Sequence, residues 1–348
     1  MPLESFGYIK DLVVTNPLGT DPKSQGDDHI RGVKLTLAQQ FSGFTEGVPI
    51  TVPESQINAL ANVDLSVVSG RNKLINGDMR TWQRGTSFSA NNAYTADRWQ
   101  LFNSVALFNV LKNTPAGSGW GGLPAMGITV GTGVSPGDNV QQKLENVNQF
   151  QEKSYTLSFT HDAPAGKNIY FAFRRHDASG TQIDSTGQLL IATGDGTVKR
   201  DSYTFTLNAL GVVYAENTSY GTVMIYPHVD STEVFNINQI QLEEGDQATE
   251  FELRHIQQEL ALCQRYTHVY SGNYIGFHPP ETGQAGTRNV NIEFPVTMRA
   301  APTISGLVVS GGAGSTTNID TTKFRGVITG VAGAGNGSVT AFTADAEL

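Results

Sequence analysis

The sequence predicts a mainly β protein: an antiparallel two-sheet sandwich, preceded by a short helical and extended arm and followed by a connector helix and a small C-terminal β domain. Three observations carry this reading. Apolar residues recur at every second position in Tyr155-Leu157-Phe159, Ile169-Phe171-Phe173 and Tyr203-Phe205-Leu207, and Val223, Ile225 and Pro227 continue the pattern. That period marks half-buried strands. Gly, Asn and Asp turns separate the runs, which favours two packed sheets. Trp82 and Trp99 both lie in the stretch from Leu74 to Trp99, and their large apolar area is expected in the core of the sandwich.

The elements follow in order. Residues 1–70 read as an arm. Asn16-Pro17 and Asp21-Pro22 mark extended chain with turns. Asp27 or Asp28 can then cap a helix from about His29 to Phe41, with Ile30, Val33, Leu37 and Phe41 on one face. A second short helix is expected from Pro53, with Ile57 and Leu60 on its apolar side. Two short helices bury too little to stand alone, so the arm is expected to dock elsewhere. Residues 71–253 form the sandwich, opened by Asn76-Gly77, a pair suited to a turn with positive φ, and closed by an alternating strand in the run Phe235–Phe251. A connector helix is expected over 254–268, with Leu253, Ile256, Leu260 and Cys263 in one apolar stripe. Residues 269–348 make the C-terminal β domain. Beyond Ala301 its only aromatic residues are Phe324 and Phe342, so its core is expected to be thin and completed by subunit contacts.

Several of these stretches resemble one family. Asn76-Gly77, Trp82-Gln-Arg-Gly-Thr-Ser-Phe88 and Tyr94-Thr-Ala-Asp-Arg-Trp99 are similar to the opening of the jelly-roll domain in bacteriophage tail-fibre and tail-appendage proteins. Gln241-Leu-Glu-Glu-Gly245 and Ala248-Thr-Glu-Phe251 resemble the closing strand of carbohydrate-binding-module-like jelly rolls. The arm Tyr8–Arg31, the connector Glu259–Tyr266, Phe294–Thr303 and Ala344–Leu348 are similar to corresponding parts of phage fibres. The resemblance implies a jelly-roll β-sandwich in a virion protein made in the host cytoplasm. It further implies attachment to other tail or baseplate proteins through residues 1–70, a homotrimer, and contact with bacterial surface polysaccharide. The alternative it leaves open is a purely structural collar, baseplate or adaptor component that docks a separate receptor-binding protein.

Composition narrows the field. Charged residues make up 16% of the chain, against roughly 25% in an average domain, so uncharged polar side chains must cover the surface. A net charge of −9 disfavours nucleic acid and anionic membranes as partners. The single cysteine, Cys263, excludes an intrachain disulfide framework and is expected to act as a small buried hydrophobe. The first residues lack the pattern of a signal peptide, and no run is long and apolar enough to span a bilayer as a helix.

No catalytic or cofactor motif stands out, and the chain is read as non-enzymatic, with no metal or cofactor. The sequence holds no G-x-S-x-G elbow, Walker loop or H-E-x-x-H. A glycosidase needs two carboxylates about 5–9.5 Å apart. Asp78 and Asp97 lie in turn-like contexts, and Glu243 and Glu244 are strand neighbours aimed at opposite faces. Asp78 and Glu243 are also the oxygen donors to test for a structural calcium ion. Sugar binding needs aromatic faces flanked by hydrogen-bonding side chains. The candidates are Trp120, in the glycine-rich Gly117–Gly122 loop, Tyr220 in a turn, and His176 at a strand end.

Overall fold

The computed structural model describes residues 23–40, 70–103, 108–131, 136–228, 234–275, 287–330 and 338–348. The chain divides into two compact units, Met1–Val63 and Asp64–Leu348. In the first, helix α1 (Lys23–Gln40) begins earlier than the sequence suggests. Asp27 and Asp28 therefore lie inside it and pair with Arg31, each at 3.4 Å, instead of capping it. Its covered side also differs: Ile30 and Leu37 are exposed, while His29 and Thr36 are buried. The expected end at Phe41 and the helix expected from Pro53 lie outside the described residues.

The second unit is built from strands. In the sandwich they are β1 (Ser87–Phe88), β2 (Gln100–Phe102), β3 (Phe108–Asn113), β4 (Ala125–Val130), β5 (Asn139–Glu145), β6 (Lys153–His161), β7 (Asn168–His176), β8 (Gln182–Ser185), β9 (Leu189–Thr193), β10 (Lys199–Leu207), β11 (Tyr220–His228) and β12 (Val234–Glu244). One sheet runs β1-β3-β4-β12-β6-β10 and the other β2-β5-β11-β7-β8, with β9 also paired to β7. Consecutive strands β4 to β7 and β10 to β12 alternate between the sheets, the crossing pattern of a jelly roll.

The inner faces meet in one core that includes Trp99, Phe159, Phe171, Phe173, Val223 and Ile225, against which Trp82 packs half-buried. On β12 the inward residues shift from Phe235 and Ile237 to Ile240 and Leu242. The register slips between Asn238 and Gln241, where Gln239 has φ 51°. One extra residue reverses which side chains face inward, so the bulge keeps both halves of the strand in the core. Strand β6 is covered on both faces. Thr156 and Ser158 are buried because Gly245 and Arg200 lie over them, at 3.0 and 2.6 Å.

The Asn76-Gly77 pair works differently from the turn expected of it. Positive φ falls on Asn76 and Met79, both at 55°. Gly77 is required by proximity instead, since a Cβ there would stand 2.1 Å from Ile240 O. The Asn76 side chain holds the segment together by donating to Thr81 O and Asp97 O at 2.8 and 3.1 Å, while its own carbonyl accepts from Trp99 Nε1 at 3.1 Å.

Helix α2 (Ile256–Gln264) follows, with the His255 side chain accepting from Gln257 N–H. Its covered face is Glu259 and Cys263; Leu253 and Ile256 of the expected stripe are exposed. Glu259 is drawn inward as acceptor for the Asn76 N–H and partner of Arg254 at 3.4 Å. Beyond it, β13 (Thr267–Ile275), β14 (Thr287–Glu293), β15 (Thr303–Ser310), β16 (Gly312–Thr317), β17 (Lys323–Gly330) and β18 (Ser338–Asp345) form two three-stranded sheets, β13-β18-β15 and β14-β17-β16. They enclose a core around Ile292, Phe294, Phe324, Ile328 and Phe342. Phe324 sits edge-on to Phe342 with ring centroids 4.9 Å apart.

Candidate functional site

Strands β5, β11 and β7 send alternate residues into the sandwich core and onto the outer face of their sheet. The outer set lines a groove of about 410 Å³. Register arranges its floor in rows. Tyr220 lies opposite His176, Thr222 stands between Lys143 and Arg174, and Met224 between Gln141 and Ala172. Gln100 and Phe102 of β2 extend two rows at one edge. Beyond the Thr222 row, a small apolar patch joins Ala172, Met224 and Tyr226, with Tyr170 against it.

The aromatic part is ordered. His176 and Tyr220 stack with centroids 4.8 Å apart and planes 14° from parallel, and Lys143 Nζ lies 5.0 Å from the Tyr220 centroid. His176 Nδ1 is 3.2 Å from Gly180 O. A carbonyl only accepts, so Nδ1 carries the proton and the neutral ring keeps Nε2 as an acceptor. Burial holds the His176 pKa below its usual value, and Arg174 and Lys143 push the same way against the Gly180 hydrogen bond. Burial also lowers Lys143, with Arg98 adding to it, and raises Tyr220 and Tyr226.

Among the described residues, the polar part is incomplete. Asn139 donates from Nδ2 to Gly137 O at 2.8 Å, but its buried Oδ1 has no partner. The buried Thr222 Oγ1 and Arg174 Nε likewise have none. Buried polar atoms are nearly always hydrogen-bonded, so these three require water or a ligand. An aromatic stack, an apolar floor and unsatisfied donors and acceptors are what a surface needs to hold a pyranose ring.

Two of the three aromatic candidates from the sequence thus meet. The third does not join them: Trp120 is 1% exposed and is not presented for stacking. Gly121 and Gly122, with φ 62° and 71°, turn the chain tightly enough to fold the indole inward. Sequence reasoning missed Asn139, Lys143, Arg174, Thr222 and Tyr226. For Arg174, Thr222 and Tyr226 the signal was present, because they alternate with the apolar residues that marked their strands, whereas Asn139 and Lys143 lie on β5, which the apolar pattern did not mark. The carboxylates weighed earlier are engaged elsewhere. Asp78 pairs with Arg80 at 2.6 Å, Asp97 accepts from Gln83 at 2.6 Å, and Glu243 accepts from Thr249 Oγ1 at 2.6 Å. Among the described residues no group of three or more His, Cys, Asp or Glu could hold a metal ion. Nor is any helix of the described residues long and apolar enough to cross a membrane.

The sequence matches no family model and no curated protein. Solved structures with similar parts include the enzymatically active domain of tailspike protein 4 from bacteriophage CBA120, at 14% identity and TM-score 0.34, over 50% of this chain and 22% of that one. The CBM22-1 xylan-binding domain of Paenibacillus barcinonensis Xyn10C matches at 12% identity and TM-score 0.30, over 47% of this chain and 94% of that one. The CBM22-1–GH10 modules of Clostridium thermocellum Xyn10B, complexed with xylohexaose, match at 16% identity and TM-score 0.30, over 46% and 28%. Likeness this distant does not carry a ligand or an activity across. The described chain is a mainly β protein whose sandwich bears an open, aromatic-floored groove on one sheet.

Proposed function

We propose that this chain is a non-enzymatic glycan-binding subunit of a bacteriophage tail appendage, with the groove as its sugar site. The observation that carries the reading is the His176–Tyr220 stack, one row from the buried Thr222 Oγ1, which has no partner among the described residues. The resemblance of its opening, closing and connector stretches to phage fibres supplies the setting. In this reading residues 1–70 attach the subunit to neighbouring tail proteins, three copies assemble, and the sandwich meets bacterial surface polysaccharide.

The test is titration of the intact protein against a panel of bacterial polysaccharides, with Tyr220→Ala alongside. Tyr220 is half-buried, so its removal should leave the fold intact. Loss of the stacking face should weaken binding about tenfold or more. Equal binding by the variant would move the site elsewhere. Absence of binding by the wild type to every polysaccharide would leave a structural tail component.

A further inference from the structure

The groove's charge runs against that of the molecule. The chain carries a net charge of −9, yet the residues lining the groove include Lys143, Arg174 and His176 and no carboxylate. Acidic groups around it are already engaged: Glu347, whose charge acts on Lys143, pairs with Arg98 and Arg84. Glu145, at the end of the Tyr220 row, pairs with Arg265 at 3.0 Å. Asp177 folds back onto the Ser179 and Thr181 N–H groups of its own turn, each at 2.9 Å. Asp184 is taken by Arg175 on the other face of β7.

The two long cations are placed by register. Lys143 and Arg174 both lie opposite Thr222, one on each side, so a single cross-strand row reads Lys143–Thr222–Arg174. The two cations are two strands apart, with Thr222 of β11 between them. Lys143 spends one N–H on Leu348 O at 2.8 Å. Arg174 makes no ion pair among the described residues, and its buried Nε is unpartnered. Thr222, 2% exposed, offers its hydroxyl between them without a partner. A guanidinium, a hydroxyl and an ammonium in line form a receptor for a carboxylate, since charge-assisted bonds to Arg are the strong ones.

We propose that the groove selects acidic glycans: a sugar carboxylate sits on the Lys143–Thr222–Arg174 row while a neighbouring ring lies on the Tyr220–His176 stack. The inference rests on the glycan-binding reading and narrows it to uronic and other carboxylated sugars. It also accounts for a cationic strip inside a chain that otherwise repels polyanions, because a groove confines recognition to one strand of sugar.

The test compares oligosaccharides of mannuronate, guluronate, galacturonate and sialic acid with their carboxyl-reduced counterparts, neutral glycans and polyphosphate, all titrated into the full chain. At least one acidic member should bind about tenfold tighter than its reduced form, a preference that shrinks as salt rises from about 50 to about 500 mM. Arg174→Gln and Thr222→Val should each erase that preference while retaining the circular dichroism of the wild type. Equal affinity for acidic and reduced forms overturns the selectivity and leaves glycan binding standing. Polyphosphate binding as tightly as the best sugar overturns it in favour of a general polyanion strip. No binding by any sugar overturns the glycan reading and this inference together.

Discussion

Arg98 and Glu347 form a buried ion pair across 249 residues of sequence, their side chains 1% and 4% exposed. Arg98 has φ 74°, lies 3.4 Å over the Tyr266 ring and donates to Lys143 O. Arg84 also reaches Glu347, at 3.2 Å. The opening stretch of the sandwich is thereby tied to the end of the C-terminal sheets.

Removing one partner should be costly. Glu347→Ala leaves the Arg98 charge buried without a counter-ion, and urea unfolding should show a loss of about 3–5 kcal/mol. Arg98→Met with Glu347→Leu removes both charges and should recover much of that loss. If the double variant is no more stable than Glu347→Ala, packing by Arg98 over Tyr266, and not its charge, is the dominant contribution.

Gly77 offers a sharper test of backbone proximity. Its φ is not positive, but a Cβ would meet the Ile240 carbonyl, and backbone cannot swing aside. Gly77→Ala should cost about 3 kcal/mol by thermal or urea unfolding. Gly166 has φ 76° and open space around it, so Gly166→Ala should cost only about 1 kcal/mol. A reversal of that order would contradict the close approach of Gly77 to β12.

Trp120 separates stability from binding. Because the indole is buried, Trp120→Ala should destabilise the protein by about 3–5 kcal/mol and leave sugar affinity of the folded fraction unchanged. Tyr220→Ala should do the opposite. A loss of affinity in Trp120→Ala at a temperature where it is fully folded would return Trp120 to the binding surface.

How far the sequence could be read depends on how local each cause is. The sandwich strands follow from period-two patterns such as Tyr155-Leu157-Phe159, which hold regardless of partner. Helices α1 and α2 were legible in existence but not in facing. Glu259 turns inward because Asn76 and Arg254 await it, and no apolar periodicity encodes a distant N–H. The burial of Trp120 was not legible for a related reason, since a glycine-rich context permits both an exposed loop and a tight inward turn. His176 and Tyr220 were found one by one. Their stacking, and the Lys143–Thr222–Arg174 row, depend on the register of β5, β11 and β7, which the hydrophobic pattern limits to one parity but does not fix by itself.

Histidine titration gives the last prediction. His176 and His268 both have pKa values lowered by burial. The unfolded value is about 6.5, so between that pH and the lower folded values the unfolded chain binds more protons. Their contribution to stability is therefore complete above about pH 6.5 and is lost as the pH falls through the folded pKa values. Asp97 and Glu259 are raised by burial and act in the opposite sense. Their contribution is present below the unfolded carboxylate values, near pH 4, and is lost as the pH rises through the folded ones. Between about pH 7 and pH 5.5 the histidine part of the melting-temperature slope is a fall on acidification, and His176→Gln should flatten it relative to the wild type. An acidic sugar in the groove should flatten it too, because a carboxylate near Arg174 and Lys143 offsets the charges that help depress His176. An unchanged slope in His176→Gln, with and without sugar, would show that the His176–Tyr220 stack takes no part in the acid response.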